Sequence, residues 1–218
     1  MSDSPLFSRR SLLKSALITG PLASFARGAA VSGDSTVHTQ RLLQGWECYK
    51  GNLGGVWEAF RGKAASDNVS WDKIEAMPHC FNAHDAVDPD QGYYQGPGWY
   101  RTTLKLNNPY PDGRTLLHFE GAGQKTHVFV YLTKVAEHVG GYDEWTVDIT
   151  EAAAQAAKAN KGSVPIAIWC DNSRDLEMIP SSLSDFNLYG GLYRYVNLVY
   201  VPAIARARAY RTQSGTGR

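Results

Sequence analysis

Trp99-Tyr100-Arg101-Thr102-Thr103-Leu104-Lys105-Leu106 puts Tyr100, Thr102, Leu104 and Leu106 on one face and Arg101, Thr103 and Lys105 on the other. That period of two marks a half-buried β-strand. The same reading gives strands at Thr115 to Glu120, Thr126 to Leu132, Trp145 to Ile149, Val164 to Cys170 and Val196 to Val201. Asn108-Pro109-Tyr110-Pro111-Asp112-Gly113 and Gly140-Gly141 punctuate them as turns. One helix interrupts the series: Asp148 is placed to cap Glu151 to Lys158, with Gly162 past its end. Its alanine-rich face suits a short surface connector. Many short strands without βαβ alternation predict an all-β fold, a jelly-roll β-sandwich with that one surface helix.

Composition agrees with a folded domain. Hydrophobic residues make up 43% and charged residues 20%, so a core can form and global disorder is excluded. A net charge of +1 with no long basic run argues against nucleic acid as a partner. Cys48, Cys80 and Cys170 are widely spaced with no C-x-x-C pair, which argues against a thiolate zinc site and leaves one disulfide or three free thiols open. His79, His118, His127 and His138 are scattered and read as satisfied imidazoles, so no metal and no cofactor are expected.

The ends read differently from the body. Ser8-Arg9-Arg10-Ser11-Leu12-Leu13-Lys14 precedes an apolar run too short and too broken by Gly and Pro to span a bilayer. Residues 1–30 are therefore expected to be a twin-arginine export signal cleaved near Ala30, giving a periplasmic or secreted protein with no membrane association afterwards. The domain is expected over residues 38–202. Residues 203–218 carry four arginines and no acid, and are expected to be a disordered end or the place where a longer protein has been cut or frame-shifted.

Two segments go beyond a generic sandwich. One runs from Met77-Pro78-His79-Cys80-Phe81-Asn82 to Tyr93-Tyr94-Gln95-Gly96-Pro97-Gly98-Trp99-Tyr100-Arg101. The other is Asp185-Phe186-Asn187-Leu188-Tyr189-Gly190-Gly191-Leu192-Tyr193-Arg194. A carboxylate binds sugar hydroxyls through charge-assisted hydrogen bonds, aromatic faces cover a sugar's C–H surface, and glycines let backbone approach a ligand. For Asp185 alone, an Asx-type turn is the competing reading. Arg194, Glu120, Trp99 and Tyr100 read as structural, with Glu120 a buried carboxylate that holds loop amides.

These segments, with His118-Phe119-Glu120-Gly121, His138-Val139-Gly140-Gly141-Tyr142 and Asp148-Ile149-Thr150 between them, resemble the N-terminal sugar-binding domain of glycoside hydrolase family 2, most closely in its β-galactosidases. The resemblance runs from about Leu42 to Pro202 and keeps the family's motif order. It implies a jelly roll that packs beside a catalytic barrel and lends one loop to the substrate pocket. It places Asp185 on the terminal sugar's hydroxyls, with Asn187 and Tyr189 beside it, and implies a β-galactoside or related saccharide as ligand. Two departures stand out: Tyr131-Leu132 replaces the frequent Asn-Gly hairpin turn, and Tyr195 replaces a common aspartate beside Arg194.

Retaining glycoside hydrolysis uses two carboxyl groups about 5–5.5 Å apart. The family carries both as glutamates on a barrel of about 250 residues, and that barrel follows this domain. No catalytic residue is therefore expected here, and the missing barrel is expected as a partner in cis or in trans. The function expected is that of a truncated β-galactosidase-like hydrolase's sugar-binding domain. The alternatives are a stand-alone carbohydrate-binding module and a scaffold for a separate catalytic chain.

Overall fold

The computed structural model describes residues 37–61, 69–88, 90, 92–178 and 187–203. The expectations for residues 1–30, for Asp185 and for the tail beyond Ala203 lie outside the described residues. The fold is the expected all-β sandwich. Its larger sheet has six antiparallel strands in the order β3 (Asp72–Ile74), β2 (Trp46–Lys50), β5 (Pro97–Leu104), β10 (Val164–Asp171), β7 (Lys125–Val130) and β8 (Thr133–Val139). The smaller sheet orders β1 (His38–Arg41), β12 (Val196–Val201), β6 (Arg114–Phe119) and β9 (Trp145–Asp148). A two-stranded ribbon pairs β4 (His79–Cys80) with β11 (Gly191–Leu192).

The alternation read from the sequence sets which side chains meet between the sheets. Tyr100 and Leu104 of β5, Ile166, Ile168 and Cys170 of β10, and Val128 and Val130 of β7 point inward. Leu117 and Phe119 of β6, Trp145 and Val147 of β9, and Leu198 and Tyr200 of β12 meet them from the other sheet. Phe119 and Trp145 lie nearly parallel with ring centroids 4.2 Å apart, and His138 stacks on the other side of Trp145 at 4.8 Å. The outer face of the larger sheet is also apolar. Tyr49, Trp99, Trp169 and His127 sit in register across four strands, and Trp99 packs with Leu53 and with Ala59 of the short helix α1 (Val56–Ala59). This second covered face explains the aromatic content.

Local structure follows the sequence with adjustments. Helix α2 (Thr150–Ala159) starts where expected, but Asp148 acts through its Oδ1, which accepts bonds from Thr150 N at 2.9 Å and from Thr150 Oγ1. The helix is not purely a surface connector, because Ala153 and Ala156 pack into the core. At the β7–β8 turn, Tyr131 itself takes the left-handed conformation (φ 52°), its ring 5.6 Å from Phe60. Tyr195 has an alternative partner, the Arg41 guanidinium 4.0 Å over its ring.

All three cysteines are free thiols. Burial pushes the Cys48 thiol up to about 12 and raises those of Cys80 and Cys170 as well. Since thiolate is the reactive form, the native chain should react with Ellman's reagent at pH 8 only on the timescale of its opening, and guanidinium should release all three thiols at once. Prompt reaction of two or more thiols in the native chain would contradict this.

Candidate functional site

The motifs quoted above converge on one end of the sandwich. β2, β8 and β10 end there while β5 and β7 begin, as the pairings Lys50 with Gly98, Asp171 with Pro97 and Lys125 with Val139 require. From that end emerge the described parts of the segments around 81–96, 120–124, 140–144, 172–178 and 187–195, which hold most of the quoted motif residues. Two short contacts tie them together: the β4–β11 ribbon, and a bridge between Gly123 and Gly191.

The glycine pair has a different role from the one its sequence suggests. A Cβ on Gly190 would overlap the Phe81 ring, and one on Gly191, which has φ +108°, would overlap the Tyr100 hydroxyl. These glycines thus admit core aromatic rings, not a ligand. Tyr100 is fully buried, its hydroxyl 3.0 Å from His79 Nδ1 and 3.2 Å from His79 O, and burial raises its phenol far above the usual range. Burial also lowers the His79 imidazole's pKa.

Two fully buried asparagines fill the space beneath the loops. Asn82 Nδ2 lies 2.9 Å from Leu188 O, 3.0 Å from Asn187 Oδ1 and 3.3 Å from Tyr94 O, while its Oδ1 accepts from Gly190 N at 2.9 Å. Asn172 Nδ2 donates to Leu188 O at 2.7 Å and Tyr94 O at 2.9 Å, and its Oδ1 accepts from Gly96 N at 2.9 Å. Asp85, also buried, accepts from Tyr94 N at 2.8 Å and faces Lys50 Nζ at 3.5 Å. On the other side the Tyr193 hydroxyl donates to Gly141 O, and burial raises that phenol too.

Of the three residues expected at the sugar, Asp185 lies outside the described residues. Asn187 is turned toward Asn82, which holds its Oδ1. Tyr189 presents its ring to solvent at 53% exposure, 6.4 Å from Tyr193, and Tyr142 is similarly exposed at 55%. A groove of about 410 Å³ runs between Val139–Asp143 and Glu177–Met178 at the same end. Asn82 was part of a quoted motif without a role, and Asn172 carried no local signal.

The acids are dispersed. Glu120 is partly exposed, not buried, and accepts from Asn197 Nδ2 at 3.0 Å with Arg41 at 3.6 Å. Glu137 pairs with Lys134 at 2.8 Å, Asp143 with His138 at 3.2 Å, and Glu144 faces His118 at 3.9 Å. Arg194 lays its aliphatic stem over Gly121. Among the described residues no group of three His, Cys, Asp or Glu side chains is arranged to hold a metal ion. The described residues at this end thus combine exposed aromatic rings with a few polar groups.

A β-sandwich with its loops gathered at one end defines the fold class, a jelly roll. The chain is similar in structure to the β-glucuronidase of Parabacteroides merdae, with 57% identity and a TM-score of 0.72 over 76% of this chain and 22% of that one. It is 31% identical to a Bacteroides fragilis β-glucuronidase over 123 residues, 56% of this chain and 17% of the relative. It is also 31% identical to a Thermoanaerobacter pseudethanolicus β-galactosidase over 128 residues, 57% of this chain and 16% of the relative. No family model matches the chain. It is a relative of the N-terminal domain of glycoside hydrolase family 2 enzymes, as its motifs indicated. It spans about a fifth of the length of these relatives or less.

The close fit of Gly191 against Tyr100 is testable by denaturant unfolding. Gly191→Ala should cost about 3 kcal/mol from overlap and from the positive φ. Adding Tyr100→Phe should make the pair non-additive by about 1 kcal/mol or more, because it removes the overlapping oxygen. Strict additivity would show that the two do not meet.

Proposed function

We propose that this chain supplies the non-catalytic N-terminal domain of a family 2 β-glycosidase, forming one wall of a saccharide pocket whose acid/base and nucleophile belong to a catalytic barrel joined in cis or in trans. The observation that carries this reading is the convergence of the family's ordered motifs on one end of the sandwich. The relatives named above are β-glucuronidases and a β-galactosidase, so the substrate class is a β-glucuronide or a β-galactoside. Asp185 is the residue proposed to bind the terminal sugar's hydroxyls, with Asn187 and Tyr189 at the base of its loop. The dispersal of the acids supports a binding role over bond cleavage. The paired Arg9 and Arg10 support export to the periplasm or beyond by the twin-arginine route.

The purified chain should show no turnover of p-nitrophenyl β-glucuronide or β-galactoside above background. Replacing the N-terminal domain of the Parabacteroides merdae enzyme with residues 37–203 should preserve β-glucuronidase activity. In that hybrid Asp185→Ala should lower kcat/KM by about 10- to 100-fold, the worth of a charged hydrogen bond. Turnover by the chain alone, or a hybrid indifferent to Asp185→Ala, would overturn the proposal. Millimolar sugar binding by the isolated chain would favour a stand-alone module.

A further inference from the structure

We infer that Asn82 and Asn172 are positioning residues: a paired amide staple that ties Asn172, at the end of β10, to residues 187–190, the two described segments that flank residues 179–186 in the chain. The inference rests on the function proposed above. Its physical content comes from an unusual sharing of partners. The two side-chain amides, 90 residues apart in sequence, use the same two carbonyl acceptors, Tyr94 O and Leu188 O. Asn172 stands immediately after β10, where the chain departs, and its bond to Leu188 spans 16 residues to the returning stem. Asn82 grips that returning stem at three successive points below the ribbon: Asn187 Oδ1, Leu188 O and Gly190 N. Gly96 completes the clamp, since its N–H donates to Asn172 Oδ1 and its carbonyl accepts from Asn172 N at 3.3 Å.

Asparagine suits this position because one side chain supplies both a two-hydrogen donor and an acceptor without charge. An aspartate of the same shape keeps the acceptor but turns a second oxygen toward two carbonyls, and a carboxylate buried among acceptors is strongly disfavoured. The staple is also distinct from the core. The strand pairing of β10 with β5 and β7, and of β12 with β6, is complete without either amide. Loss of the staple should therefore release the stems while the sandwich persists.

Hydrogen exchange on the full-length chain tests this. In the wild type, the Gly96 and Gly190 amides should exchange as slowly as strand amides of β5 and β10. In Asn82→Asp and Asn172→Asp, exchange over residues 172–178 and 187–192 should rise about tenfold or more. Amides of Val164–Asp171 and Val196–Val201 should stay within about twofold of wild type. Asn160→Asp, which alters the amide that bonds Ala156 O at 2.8 Å in α2, should leave the stems unchanged. Fast exchange of Gly96 and Gly190 in the wild type overturns the staple without any variant. Stems that stay protected in both aspartate variants, or strands that loosen in step with them, overturn it equally. None of these readouts involves sugar, so failure of the proposed function appears in the hybrid's hydrolysis assay and failure of the staple appears in exchange.

Discussion

Backbone between residues 187 and 192 lies directly against two core rings, Phe81 and Tyr100, and nearly everything at this end of the molecule depends on that contact. Backbone brought so close to aromatic rings loses water from its N–H and C=O groups. Each such group costs about 1–3 kcal/mol if left unpaired. The β4–β11 ribbon satisfies some of them, the Gly123 bridge others, and the buried asparagine amides Leu188 O and Gly190 N. Glycine at 190 and 191 is thus the condition for close approach, and asparagine at 82 and 172 is the condition for making that approach polar-neutral. Neither pair works without the other.

The sequence reveals strands through alternation, as in Trp99 to Leu106, and through mostly apolar runs, as in Val196 to Val201, whose six residues are all buried. It is silent on β2, β3 and β8. In β2 the alternation is shortened to five residues, β3 has only three, and β8 is a mostly exposed strand whose register against β7 shifts at Val128/Phe129. The extra apolar layer over Trp99 and Ala167 was hidden for a related reason. A strand covered on both faces carries apolar residues at successive positions, so its sequence marks a strand without saying what covers the outward face of Trp169 and Phe129.

The site was legible in part. The quoted motifs fall on loops that share one end of the sandwich, because a jelly roll brings widely separated turns to one end regardless of their spacing in the chain. Gly190 and Gly191 were misread because a local glycine signal is identical whether the approaching group is a ligand or a ring from elsewhere in the fold. The ring that decides the matter, Phe81, lies more than a hundred residues away. Asn172 illustrates the same limit more sharply. An asparagine after a strand ordinarily signals a turn, and only the tertiary arrangement shows that its amide spans two other loops.

A wall supplied by one domain to a pocket in another faces a demand that a self-contained site does not. Its contact residue has to arrive within about 0.5 Å of the productive position, and loops meet that standard only when their stems are locked by packing and second hydrogen-bonding partners. Here the groups that bridge the loops are uncharged, buried and bonded mainly to backbone, so they hold geometry without adding charge of their own. Among the charged groups near the loops, Lys125 pairs with Asp175 and Lys50 with Asp85. The exposed rings of Tyr142 and Tyr189 stand at the same end of the sandwich. The acids described in the 140–144 loop, Asp143 and Glu144, face His138 and His118 and not each other, so the geometry the loops share is set by buried amides and backbone.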